Sequence, residues 1–187
     1  MILFPASRPA LIAYVTCGDP DLTATRDIVL AAIDAGADVV ELGVPFSDPV
    51  ADGPVIQRAS ERALRNGVTL RQVLKLAATI RRRSSAGLII FSYFNPVLQY
   101  GLERFAATSA DAGVDGALIT DLTVEEAGGY VRCMRARRLA TVFLAAPTST
   151  DARLRALARA STGFVYAVSR TGVTRSEERR VGKECRL

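Results

Sequence analysis

Short runs that are apolar on both faces alternate along this chain with longer segments whose apolar residues return at helical spacing. The runs predict strands over 10–16 (ALIAYVT), 37–42 (ADVVEL), 88–93 (LIIFSY), 116–120 (GALIT), 140–145 (ATVFLA) and 163–168 (GFVYAV). Helices are predicted between them at 22–35, 57–65, 69–82, 102–112, 123–138 and 150–160. Thr69, Thr123 and Thr150 stand where N-caps belong, and Gly36 and Gly113 stand where helices should end. Asp19 and Asp21 read as turn and helix-start residues, and Asp48, ahead of Pro49, as a turn or cap. Strands that are hydrophobic on both faces and joined by helices imply a parallel sheet under helical cover. Strict βα alternation leaves a doubly wound sheet or a (β/α) barrel.

Two observations favour the barrel. No GxGxxG follows the first strand, which weakens a dinucleotide fold. Polar and reactive side chains gather at the predicted strand ends: Tyr14 and Thr16, Glu41, Tyr93 and Asn95, Asp121, then Tyr166, Ser169 and Arg170. In a (β/α) barrel the chemistry collects at those ends. The expected fold is therefore α/β, a (β/α)8 TIM barrel of which about six of eight βα units are present.

One position breaks the apolar pattern. The segment DAGADVVEL (34–42) recurs as DAGVDGALI (111–119), and Glu41 falls where the later copy has Leu118. An ionised Glu in an apolar wall costs several kcal/mol unless it is paired or its pKa moves. Such a residue is a functional candidate, the alternative being a structural carboxylate paired with a buried Arg or backbone amides. A second acid, Asp52, follows in the turn VPFSDPVADGP, though Asp-Gly is also ordinary turn chemistry.

Composition narrows the chemistry. The 187 residues contain no histidine, which removes Ser-His-Asp triads, His general bases and His-based metal sites together. Proton transfer is left to carboxylates, tyrosine, lysine or cysteine. Net charge is +5, but Arg81–Arg83 lie at a predicted helix end without interleaved aromatic residues, so a nucleic-acid partner is not expected. Three scattered cysteines, Cys17, Cys133 and Cys185, suit a reducing cytoplasm. No membrane-spanning run or signal peptide is expected either.

The composition changes after Val173. Residues 175–187 hold eight charged side chains and no apolar period. Residues 1–174 are accordingly expected to form a partial barrel domain, and 175–187 a charged, disordered tail foreign to it. Six units cannot close an eight-stranded barrel, so the first and sixth strands should have free edges.

The pieces ALIAYVTCGDPD, DAGADVVELGVPFSDPVADGPVIQRA, YFNPVLQYG, DAGVDGALITDLTVEEA and GFVYAVSRTGVT resemble the tryptophan synthase alpha subunit family over about residues 8–174. This resemblance implies a TIM barrel, and a lyase of tryptophan biosynthesis that cleaves indole-3-glycerol phosphate to indole and glyceraldehyde 3-phosphate. Glu41 and Asp52 match the family's catalytic acids, and Tyr14, Phe91 and Tyr93 match residues lining its indole pocket. Asp121 and Tyr166 match polar positions near the glycerol end, and Thr174 matches the threonine of a mobile loop.

The resemblance also implies a beta-subunit partner in a cytoplasmic heterotetramer. Pyridoxal phosphate is expected only on that partner, with no metal or cofactor on this chain. The chain departs from the family before its first strand, where MILFPAS is too short for the usual helix, and at Arg175, where glycine is usual. Strands seven and eight, whose loops bind phosphate in such barrels, are absent, so impaired activity is expected. The alternatives are a non-catalytic partner of the beta subunit or another phosphosugar-processing barrel. A Schiff-base version lacks its lysine, since Lys75 lies mid-helix and Lys183 in the tail.

Overall fold

The structure is a computed structural model that describes residues 4, 5 and 7–169. In chain order its elements are β1 (Ile12–Thr16), α1 (Leu22–Asp34), β2 (Val39–Gly43), α2 (Pro54–Arg65), α3 (Leu70–Arg81), β3 (Gly87–Ser92), α4 (Phe94–Tyr100), α5 (Leu102–Asp111), β4 (Gly116–Ile119), α6 (Gly128–Ala136), β5 (Ala140–Ala145), α7 (Asp151–Ala160) and β6 (Val165–Ala167). Each strand pairs in parallel with the next, giving the order β1-β2-β3-β4-β5-β6. A doubly wound sheet reverses direction at a switch point, whereas a barrel adds strands in one direction only. The six strands form an arc of a TIM barrel with helices outside. The proposed boundary at 174 and the segment 175–187 lie outside the described residues.

Alternation along each strand divides the apolar residues into two layers. Val39, Ile89, Leu118 and Val142 are buried on the inner face, with Ile12, Phe91, Leu144, Phe164 and Tyr166 packed against them. Val40, Leu42, Leu88, Ile90, Ala117 and Phe143 point outward and meet helix residues including Val29, Leu74, Ile80, Phe105, Met134 and Leu157. On β6 the outward-facing Val165 is 39% exposed.

The internal repeat has a structural reason. Asp38 and Asp115 occupy equivalent places in DAGAD and DAGVD. Asp38 accepts the Leu11 N–H at 2.8 Å and both arms of Arg8 at 2.7 and 2.8 Å. Asp115 accepts the Leu88 N–H at 3.0 Å and the Arg81 guanidinium at 2.7 Å. Each acid thus ties the start of the preceding strand to an arginine. Asp115→Ala is expected to cost about 2–3 kcal/mol, because a partly buried guanidinium and a strand N–H both lose their acceptor. A thermal melt reads this, and an unchanged midpoint would contradict the assigned role.

The helix ends follow local chemistry, with three departures from the sequence pattern. Asp21 caps α1 by accepting the Ala24 N–H at 2.8 Å, Thr150 caps α7, and Thr69 with Gln72 forms a capping box on α3. Gly36 (φ +107) and Gly113 (φ +74) follow α1 and α5 in the left-handed region that glycine tolerates. Helix α2 begins at Pro54 rather than 57, with proline in its first turn. Helix α4 was not predicted. Its single short run contains Pro96, but proline is tolerated in a first turn, where its missing N–H has no intrahelical partner. Helix α6 starts at Gly128, so Thr123 is not its N-cap. The Thr123 hydroxyl instead donates to Glu126 Oε2 at 3.1 Å, within a turn ahead of the helix.

Candidate active site

Glu41 lies on β2 between Val40 and Leu42, which face the helices, so strand alternation turns its side chain into the barrel. It is 3% exposed, and its Oε1 has no hydrogen-bond partner among the described residues. Burial therefore favours the neutral acid and lifts its pKa from 4.5 to about 7. Among the described residues no arginine pairs with it, and the structural-pair alternative fails there at this oxygen.

The neighbouring strands complete the wall. Tyr14 of β1 stands beside Glu41 in the strand register and accepts a hydrogen bond from the Thr16 hydroxyl at 3.3 Å. Its ring meets Phe91 of β3 edge-on, with centroids 5.0 Å apart at 74°. Gly43 makes this packing feasible, because a Cβ there would stand 2.6 Å from Tyr14 Cζ. Burial holds the Tyr14 phenol above its ordinary range. The same holds for Tyr166 on β6, where the charge of Glu41 adds to the effect.

Asp52 arrives from the β2–α2 loop. Its backbone N–H donates to Pro49 O at 3.0 Å, and its carbonyl accepts from the Gln57 amide at 2.9 Å. Its Oδ2 accepts from the Tyr93 phenol at 3.0 Å. Burial raises the Asp52 pKa, and the Tyr93 hydrogen bond opposes part of that rise.

Glu41 and Asp52 open into one cavity of about 280 Å³. Tyr14, Phe91, Ile56, Leu144, Val168, Thr120, Ala51 and Tyr166 form the rest of its wall. Two acids thus face an otherwise largely apolar, aromatic slot, with no basic side chain among the described residues of its wall. Such a slot can hold a flat heterocycle while one acid delivers a proton and the other accepts an N–H. Among the described residues there is no group of three or more His, Cys, Asp or Glu that could hold a metal ion. No helix among them is long and apolar enough to cross a membrane.

The family model described as tryptophan synthase alpha chain matches residues 3–184. The chain belongs to the tryptophan synthase alpha chain family. It is 59% identical over 172 residues to the tryptophan synthase alpha chain of Solibacter usitatus, covering 92% of this chain and 64% of that protein. The alpha chain of Geobacter sulfurreducens is 51% identical over 168 residues, covering 90% and 64%. Among solved structures, tryptophan synthase from Mycobacterium tuberculosis superposes with a TM-score of 0.86 at 42% identity, over 91% of this chain and 66% of that one. The tryptophan synthase complex of Pyrococcus furiosus gives 0.81 at 43% identity, over 84% and 65%. The chain therefore spans a little under two thirds of the length of these curated relatives.

On this alpha-chain scaffold, Tyr14, Glu41, Asp52, Phe91 and Tyr166 come together at the cavity. Tyr93 does not line it; it stands behind Asp52 and holds that side chain. Asp121 is exposed and turned to another task, accepting the Phe94 N–H at 2.6 Å at the start of α4. Thr174 and Arg170 lie outside the described residues. Ala51, Ile56, Thr120, Leu144 and Val168 were missed. Stepping by two from Leu118, Val142 and Tyr166 reaches three of them, but nothing in their chemistry marks them.

Proposed function

We propose that this chain carries the alpha reaction of tryptophan synthase, the retro-aldol cleavage of indole-3-glycerol phosphate to indole and glyceraldehyde 3-phosphate. The observation that carries the proposal is the buried Glu41 carboxyl, its Oε1 without a partner among the described residues, sharing one cavity with Asp52. With its pKa near 7, Glu41 carries a proton over much of the neutral range and can deliver it to indole C3. Protonation leaves positive charge on the ring nitrogen, where the Asp52 carboxylate accepts the N–H and stabilises that charge. The bond between C3 and the side chain then breaks, and its electron pair restores the aromatic ring. The adjacent hydroxyl becomes the aldehyde carbonyl and gives its proton to Glu41, now a carboxylate. Tyr14 and Phe91 flank the indole, and Tyr166 faces the glycerol end.

The chemistry requires no metal or organic cofactor on this chain. The partner is a beta chain carrying pyridoxal phosphate, in a cytoplasmic heterotetramer that takes up the indole. Support for the partner is the relative from Pyrococcus furiosus, solved as a tryptophan synthase complex.

The test is to incubate the 187-residue chain with indole-3-glycerol phosphate, with and without a beta chain. Release of indole and glyceraldehyde 3-phosphate in equal amounts is the expected result. Capture of the beta chain without any indole release would contradict the catalytic reading.

A further inference from the structure

Tyr93 follows β3 and is only 3% exposed, yet its phenol makes two hydrogen bonds to the β2–α2 loop, with the Thr120 hydroxyl also against it. It accepts the Ala51 N–H at 3.0 Å and donates to Asp52 Oδ2 at 3.0 Å. Its ring lies against Phe46, with centroids 5.1 Å apart. One side chain thus grips the loop near its start and again where it delivers Asp52 to the cavity. A phenol has a single proton, and with Ala51 supplying the accepted bond, that proton is directed onto Asp52. Oδ2 is engaged, while Oδ1 has no partner among the described residues and remains for a ligand in the cavity. The other hydrogen bonds to Asp52 reach its backbone.

We infer that Tyr93 is a positioning residue whose phenol sets the orientation of the Asp52 carboxylate towards the bound ring. The inference rests on the reading of Asp52 given above and deepens it. Tyr93 does not touch the ring; it acts through Asp52. The other ionisable groups facing the cavity, Tyr14 from β1, Glu41 from β2 and Tyr166 from β6, remain in place when the phenol is removed.

Tyr93→Phe keeps the ring on Phe46 and removes both hydrogen bonds. In the folded 187-residue chain, the Asp52 carboxyl, followed by carbon-13 NMR, is expected to titrate at higher pH than in the wild type. The expected fall in kcat for indole release is about 10- to 100-fold, the effect of losing a hydrogen bond to a charged group, with KM little changed. On an Asp52→Asn background, Tyr93→Phe should have no further effect. An unmoved Asp52 midpoint, or additive losses in the double variant, would overturn the inference. Should Tyr93→Phe fail to fold, Asp52→Asn reads the same bond from its other end. Loss of the neighbouring carboxylate should lower the Tyr93 phenol midpoint, and an unchanged midpoint would overturn the inference. Wild-type indole release by Asp52→Asn, alongside a shifted midpoint, would instead overturn the catalytic reading of Asp52.

Discussion

Glu41→Gln is expected to lower kcat/KM for indole release by about 10²- to 10⁴-fold, the range for loss of a positioned general acid–base. Glutamine has nearly the same shape, so the cavity and its ring contacts persist while the transferable proton is lost. A loss below about tenfold in a folded variant would remove Glu41 from the reaction. The same substitution should change stability in the opposite direction. With a pKa of about 7 in the fold against 4.5 in the open chain, Glu41 holds a proton when folded that the unfolded chain has released. Folding stability attributable to this group therefore falls as pH rises from about 4.5 to 7, by about 3 kcal/mol in all. Melts at pH 5 and pH 8 check this. The variant should match the wild type more closely at pH 5 and exceed it at pH 8. Equal melting offsets at both pH values would show that the buried acid carries no such cost.

Asp52→Asn should lower kcat by about 10²- to 10³-fold, as when a preorganised group aimed at developing charge is removed. The asparagine carbonyl can still accept an indole N–H, so indole should bind nearly as before. What is lost is the negative charge facing a ring nitrogen that becomes cationic during the reaction. Steady-state kinetics with a separate indole-binding measurement distinguish the two effects. A large loss of indole affinity with kcat intact would make Asp52 a binding residue alone.

The main architecture and the first catalytic candidate were legible because each depends on local pattern. Apolar runs of strand length named all six strands, and Glu41 stood out as a charge at a position that alternation turns inward. The DAGAD repeat was visible too, although its purpose, an acceptor for a strand N–H and an arginine, appears only when Leu11 and Leu88 are brought alongside. Helix α4 was hidden by its brevity and by Pro96. The contacts of Tyr93 and Asp121 were hidden for a different reason. A tyrosine at a strand end looks the same whether it faces the cavity or stands behind a loop, and only the path of residues 44–53 places Asp52 in front of it. The Asp121 contact likewise appears only when α4 presents an N–H for it to accept.

The most direct test of the account is the titration of the Glu41 side-chain carboxyl in the folded 187-residue chain, followed by carbon-13 NMR and assigned with Glu41→Gln. A midpoint near 7 is predicted, because the acid is buried without a compensating partner among the described residues. A midpoint at 4.5 or below would mean that the carboxylate is solvated or paired, and would contradict its assignment as the proton donor.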